Sequence, residues 1–242
     1  TTTRLHLSGL VGGASGDGLA FRRQADAVFA RAETLLAARR SDFAEVARTW
    51  IYLADIDRDY AALNEARRDF ITTRGLRRLP ASTGIAGTPD PPDRRLSVDL
   101  VAWSGPGVLG LRPISAPTMN EAPAYGSDFS RGMRVDLERR AVLYISGTAS
   151  IDGEGRVAHP GDPARQARRM LLNVEQLLAG QGGSLADVVQ AVTYVKRAAD
   201  HEAVLAACRD AGFPTAIPHT VCTAAICRPE WLCEMEAIAV LG

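Results

Sequence analysis

Two glutamates stand one residue apart near the end of the chain, in Leu232-Cys233-Glu234-Met235-Glu236-Ala237-Ile238-Ala239-Val240. This run reads as a strand, and a strand sends alternate side chains to opposite faces. Glu234 and Glu236 therefore share a face with Leu232, Ile238 and Val240. Two carboxylates on a mostly apolar face are costly unless they are solvated or paired. One reading is an exposed strand end or a salt bridge to an arginine. The other is a general acid, a carboxyl kept protonated near neutrality by burial and by its neighbour's charge.

Other residues could serve such chemistry. Arg131, in Asp128-Phe129-Ser130-Arg131-Gly132-Met133, follows Tyr125-Gly126 closely. A planar guanidinium suits a substrate carboxylate, although a surface position is the commoner fate of an arginine. Gly147, in Ser146-Gly147-Thr148, ends a strand-like run; it either admits a ligand close to the backbone or forms a bulge. His219, between Pro218 and the last strand, is a candidate ligand contact or a hydrogen-bonded structural histidine. No nucleophile elbow, phosphate loop or zinc-protease motif is present. The run Gly12-Gly13-Ala14-Ser15-Gly16-Asp17 lacks phosphate-loop spacing and reads as a hairpin turn.

The elements that must position these residues are written twice. Residues 24–67 align without a gap on 166–209: Gln24 meets Gln166, Glu33-x-Leu35-Leu36-Ala37 meets Glu175-x-Leu177-Leu178-Ala179, Tyr52 meets Tyr194, and Arg67 meets Arg209. Upstream, after one short insertion, Leu7-Ser8-Gly9 meets Ile145-Ser146-Gly147. Residues shared by both copies are expected to be structural, and residues of one copy are candidates for chemistry. By that rule Arg67 and Arg209 read as structural ion pairs. The strand of copy one that matches 232–241 is Leu96 to Trp103, with Val98 and Leu100 expected opposite the two glutamates.

Each copy reads as β–α–β–α–β. In copy one these are strand 4–11, helix 17–40, strand 46–53, helix 60–74 and strand 96–103; in copy two, strand 141–149, helix 163–180, strand 188–195, helix 201–211 and strand 232–241. An extra hairpin strand is expected near the start of the unit. The Pro- and Gly-rich stretch 105–126 reads as a linker or crossing loop, separating a unit at 1–104 from one at 127–242. Helices on one face of each sheet leave an apolar face to be buried between the halves or between chains. The fold class expected is α+β, with two tandem units packed as a pseudo-symmetric pair.

Composition narrows the function. The chain of 242 residues is 46% hydrophobic, enough for real cores, and carries 28 acidic and 28 basic residues. That balance points to neither nucleic acid nor an anionic membrane as a partner. No apolar stretch approaches the roughly 18 residues of a membrane span. No signal peptide is visible, so the expected location is cytoplasmic. Cys208, Cys222, Cys227 and Cys233 form no CxxC pair and read as reduced, partly buried thiols; neither a metal nor an organic cofactor is expected.

Both copies resemble the RidA (YjgF) superfamily: Ser146-Gly147 at the first strand end, Asp162 to Gln166 opening a helix, and the closing Glu234-Met235-Glu236-Ala237. That resemblance implies a homotrimer with sites in clefts. Many members hydrolyse imines, holding the substrate carboxylate with an arginine where this chain has His219, a departure from that chemistry. A closer resemblance is to the chorismatase family, which is built from tandem units of this type. It rests on Ala47-Arg48-Thr49-Trp50-Ile51-Tyr52, Leu79 to Ile85, Tyr125-Gly126 with Phe129-Ser130-Arg131, Leu143 to Ile151, and Ile226-Cys227-Arg228-Pro229-Glu230-Trp231 running into the closing glutamates. Chorismatases remove pyruvate from chorismate, so the partner implied is a small carboxylate substrate. The resemblance makes Glu234 the catalytic acid. It gives Arg131 a substrate carboxylate, with Tyr125 and Gln166 in supporting hydrogen bonds and Glu236 tuning its neighbour. Members that form 3-hydroxybenzoate carry glycine and cysteine where this chain has Gly147 and Cys227. Chorismatases also carry a long segment ahead of their first unit, whereas this chain begins almost at that unit; another enol ether is the substrate if that segment shapes the site. The alternative is a RidA-type enamine or imine deaminase, or a non-enzymatic small-molecule-binding protein.

Overall fold

The computed structural model describes residues 2–14, 16 and 18–242. The turn expected at 12–17 includes Ser15 and Asp17, which lie outside the described residues. The N-terminal half holds β1 (Thr3–Leu10), α1 (Phe21–Ala37), β2 (Val46–Leu53), α2 (Ile56–Thr73), β3 (Ala81–Ala86) and β4 (Leu96–Ser104). The rest holds β5 (Val108–Ile114), β6 (Gly132–Leu137), β7 (Ala141–Ala149), α3 (Pro163–Ala179), β8 (Val188–Val195), α4 (His201–Asp210), β9 (His219–Thr223) and β10 (Cys233–Leu241).

The first sheet has the order β1-β4-β2-β3, and the second β5-β6-β7-β10-β8-β9. Within the second, β7-β10-β8-β9 repeats the first strand for strand. In both, the first three strands are antiparallel and the last runs parallel to its neighbour. A bulge recurs at the same place: pairing jumps from Leu7↔Leu100 to Leu10↔Val98 in one copy, and from Ala237↔Ile145 to Met235↔Thr148 in the other. One extra residue in a strand bends it and re-aims its side chains. Here the extra residue falls at Ser8-Gly9 and Ser146-Gly147.

Three departures from the expected elements have physical reasons. β3 (Ala-Ser-Thr-Gly-Ile-Ala) and β9 (His-Thr-Val-Cys-Thr) are short, and Ser, Thr, Gly or His interrupts their apolar residues, so neither shows an apolar run. Residues 105–126 are not wholly a linker, because β5 pairs antiparallel with β6 and extends the second sheet. Gly110 and Pro113 hid it, and an edge strand tolerates both. The extra hairpin strand is β6, which belongs to the second unit.

Each helix pair covers one sheet face. Phe21, Ala25, Val28, Phe29, Ala32 and Leu36 of α1 join Leu63 and Phe70 of α2 over the first sheet. Ala167, Met170, Leu171, Val174, Leu177 and Leu178 of α3 do the same over the second. Asp55 and Asp162 cap α2 and α3 by accepting from Arg58 N at 3.0 Å and Arg165 N at 2.9 Å. Such a cap is worth about 1 kcal/mol. The other sheet faces meet each other through a third core of Ala47, Ala81, Val101 and Trp103 against Met133, Val135, Val142 and Tyr144. Trp103 Nε1 donates to Tyr144 Oη across it at 3.0 Å. Strand β3 docks on the bulge of β7, where Ser82 N donates to Ser146 Oγ at 2.9 Å and Gly147 N donates to Thr83 Oγ1 at 3.0 Å. The face of β10 that carries Glu234 and Glu236 therefore looks at the first unit. No helix among the described residues is long and apolar enough to cross a membrane.

Candidate active site

Cys233, Met235, Ala237 and Ala239 of β10 enter the core under α3 and α4. Alternation then sends Glu234 and Glu236 to the opposite side, where they are only 3% and 6% exposed. The two environments differ. Glu236 is gripped by β2 of the first unit: its Oε2 accepts from Arg48 Nη2 at 2.7 Å, and its Oε1 from Trp50 Nε1 at 2.7 Å. Arg48 also donates to Thr83 Oγ1. Among the described residues Glu234 has no such ion pair. Burial, then the charge of Glu236, pushes its pKa up to about 8, against the opposing pull of Arg48 and Arg131. Both causes hold the Glu234 carboxyl toward its protonated form.

Glu234 opens into a cavity between the units. α2 supplies Tyr60, Leu63 and Arg67, and β3 supplies Ser82 and Gly84. The segment before β6 supplies Tyr125, Phe129 and Arg131. β7 contributes Gly147, and the loop before β10 contributes Cys227 and Trp231. The glycines are there for room: a Cβ on Gly147 would lie 2.1 Å from Glu234 Oε1, and one on Gly84 would lie 3.2 Å from the Tyr60 ring. Burial, with Glu234 nearby, pushes the Cys227 thiol up to about 12, so it stays a neutral wall residue.

Two cations line this cavity. Arg131 is 2% exposed; its Nε donates to Asn120 O at 2.8 Å, and its guanidinium lies 5.2 Å from the Tyr125 ring centre and 5.8 Å from that of Phe129. Arg67 Nη2 donates to Asn64 Oδ1 at 2.6 Å, and its buried Nε has no hydrogen-bond partner. Burial lowers the Arg67 pKa. Among the described residues neither forms an ion pair with a carboxylate. Buried charges are costly unless paired, so both guanidiniums are suited to receive carboxylates from a ligand.

The expected site residues divide cleanly. Glu234, Arg131, Tyr125, Gly147 and Cys227 share the cavity. Glu236 lies behind it, beside a second cavity with Arg48 and Trp50. Gln166 does not line the site. Its amide ties α3 to the start of β10, with Nε2 donating to Glu230 O at 2.9 Å and Oε1 accepting from Leu232 N at 2.9 Å. Gln24 repeats one half of this tie, its Oε1 accepting from Arg95 N at 2.9 Å just before β4, while its Nε2 donates to Leu19 O at 2.8 Å. His219 also lies elsewhere. Its register partner Ala191 packs into the core under the helices, its Nε2 is 2.8 Å from Thr193 Oγ1, and its ring stands 5.1 Å from Phe213. Burial lowers its pKa.

Two expectations drawn from the duplication are corrected. Tyr52 pairs with Ser97 and Trp50 with Asp99, whereas Tyr194 pairs with Glu234 and Val192 with Glu236. The counterparts of the glutamates are therefore Ser97 and Asp99, not Val98 and Leu100. Asp99 accepts from Gly9 N at 2.6 Å. Arg67 and Arg209 also differ in fate: Arg209 pairs with Glu202 at 2.8 Å on the surface, and Arg67 faces the cavity. Sequence reasoning gave no site role to Arg48, Trp50, Tyr60 or Arg67. The argument that singled out Glu234 finds Arg48, the one charged residue of strand β2.

Gly147→Ala tests the geometry. The new methyl can be accommodated only by moving the flexible end of Glu234, so the fold should persist. A displacement on the order of 1 Å at a reacting group costs up to about 100-fold in rate. Turnover should fall toward that figure with the thermal midpoint little changed; unchanged turnover would mean that the position of Glu234 over Gly147 is immaterial.

Among the described residues no group of three or more His, Cys, Asp or Glu is placed to hold a metal ion. Comparison with known proteins places this arrangement. Residues 119–241 match the family described as Endoribonuclease L-PSP. The chain is 30% identical over 224 residues to 3-hydroxybenzoate synthase of Streptomyces hygroscopicus, covering 82% of this chain and 64% of that protein. It thus spans less than two thirds of that relative. It is also 30% identical over 99 residues to 3-aminoacrylate deaminase RutC of Acinetobacter baylyi, covering 40% of this chain and 78% of that one. A crystal structure of chorismatase superposes with a TM-score of 0.77 at 24% identity, over 98% of this chain and 73% of that chain. The chain belongs to the Endoribonuclease L-PSP (RidA/YjgF) family, in the two-unit form whose fold it shares with chorismatase.

Proposed function

We propose that the protein removes pyruvate from chorismate, or from a closely related enol-ether diacid, with Glu234 as the proton donor. The observation that carries this reading is a buried carboxyl, Glu234, in a cavity with two buried arginines that, among the described residues, form no ion pair with a carboxylate. Chorismate brings what that cavity lacks: two carboxylates and an enol ether whose methylene carbon accepts a proton. Arg131 and Arg67 hold the carboxylates, and the rings of Tyr125, Phe129 and Trp231 enclose the carbon skeleton.

Glu234 delivers its proton to the methylene carbon, and the enol ether becomes an oxocarbenium ion. Two outcomes balance. Water adds to the cationic carbon and gives its proton to Glu234; the hemiketal then collapses to pyruvate and a ring diol. Alternatively, the neighbouring ring hydroxyl displaces pyruvate from the adjacent ring carbon and returns its own proton to Glu234. No water is taken up in that route, and the remaining fragment has the composition of a hydroxybenzoate. Gly147 and Cys227 favour the second outcome, since the resemblance associates that pair with 3-hydroxybenzoate formation. The likeness to 3-hydroxybenzoate synthase supports it.

The test is to incubate purified protein with chorismate, assay pyruvate, and separate the aromatic products. Pyruvate and 3-hydroxybenzoate in equal amounts are expected. Absence of pyruvate release would overturn the reading.

A further inference from the structure

Outside the inner cavity lies an open groove, and the two share Tyr60, Tyr125 and Cys227 as a common wall. Four charged side chains line the groove: Asp57, Glu65, Arg68 and Arg228. Arg68 is neutralised by Asp128 at 3.1 Å and also donates to Gly126 O at 2.7 Å. Arg228 is different. It is half-buried and, among the described residues, has no carboxylate partner. Its Nη1 donates to Gly155 O at 3.0 Å, and its guanidinium lies 4.6 Å from the Tyr125 ring centre and 4.9 Å from that of Trp231. Both rings also line the inner cavity.

Arg228 therefore stands at the threshold between the groove and the reaction chamber. Arg228 lines the groove and Arg67 and Arg131 line the inner cavity, and among the described residues none of the three has a carboxylate partner. Asp57 and Glu65 on the same groove repel anions, so the attraction is local: a guanidinium held against low-dielectric aromatic walls draws an oppositely charged ligand to that point. The aromatic rings hold the Arg228 guanidinium in place without cancelling its charge.

We propose that Arg228 is the gateway residue that captures a carboxylate-bearing substrate from the groove and hands it to Arg67 and Arg131, making the site selective for diacids. This rests on the reading of the inner cavity as a diacid site. It assigns Arg228 to recognition and association, with no part in proton transfer.

The probe is isophthalate, a stable planar benzene dicarboxylate, followed by stopped-flow tryptophan fluorescence because Trp231 lines the cavity. Association is measured for wild type, Arg228→Met and Arg228→Lys as salt is raised through the range where screening sets in, about 0.01 to 1 M. Arg228→Met should associate about tenfold more slowly at low salt and converge on wild type at high salt. Arg228→Lys keeps the charge but not the planar stacking, and should retain most of the rate. A Met variant with the wild-type rate and salt dependence overturns the proposal. So does a Lys variant as slow as Met, because stacking rather than charge would then be responsible. Wild type that takes up no isophthalate sinks both this role and the diacid reading. Wild type that binds isophthalate but leaves chorismate intact sinks only the proposed reaction.

Discussion

Glu234→Gln is expected to lower turnover of chorismate about 100- to 10,000-fold, the typical worth of general acid catalysis, with the fold retained. Glutamine is nearly isosteric and cannot supply the proton. Burial already favours neutral Glu234, so the substitution changes little in the charge balance of the cavity. The pH dependence carries the same signature. With a pKa of about 8, the wild-type rate should fall as pH rises through that value and the acid ionises. The linkage sign is that of an acid whose folded pKa is raised from 4.5. The folded state binds the proton more tightly than the unfolded chain, so Glu234 costs stability progressively as pH rises from about 4.5 to about 8. Near wild-type turnover in Glu234→Gln, or a rate flat through pH 8, would remove Glu234 from the chemistry.

Arg48→Met is expected to cost about 3 to 5 kcal/mol, because it strands the buried Glu236 without its cation. In a domain pair of this size that corresponds to a fall of roughly 10 °C in thermal midpoint. The Arg48–Glu236 contact joins the units at 2.7 Å, with side chains 2% and 8% exposed, so solvent screens it little. The double variant Arg48→Met/Glu236→Gln removes both charges and should recover most of the loss. A double variant no more stable than Arg48→Met would show that the ion pair is not what holds this seam. The same pair sets the asymmetry of the site: Glu236 is bound to Arg48 and Trp50, and its charge helps to keep the proton on Glu234.

Much of this was legible before any coordinates. Strand alternation placed Glu234 and Glu236 on one face, and the apolar repeats placed 46–53, 141–149 and 188–195 as strands with the observed bounds. The duplication rule also holds for Gln166, whose shared partner Gln24 repeats one half of its backbone tie. It misleads where register or surroundings decide. A Ser-Gly bulge and unequal turns set the pairing of β4, so Asp99 rather than Leu100 stands in for Glu236. Arg67 and Arg209 occupy equivalent helix positions, but only Arg67 has another unit packed over it. Its burial is a property of the seam, which no local pattern reports. The wall made by β3 was hidden for a related reason. Ser82, Thr83 and Gly84 are polar or small because they dock on β7 and leave room for Tyr60, and such residues read locally as a turn.

The central claim is that Glu234 protonates an enol-ether carbon, and the most direct measurement is to run the chorismate reaction in D₂O. An exchangeable carboxyl proton is replaced by solvent deuterium before each turnover. Early-time proton NMR should therefore show pyruvate with one deuterium in its methyl group, and Glu234→Gln should release little pyruvate of any kind. Pyruvate with an unlabelled methyl group, its hydrogen carried over from the substrate ring, would contradict the account.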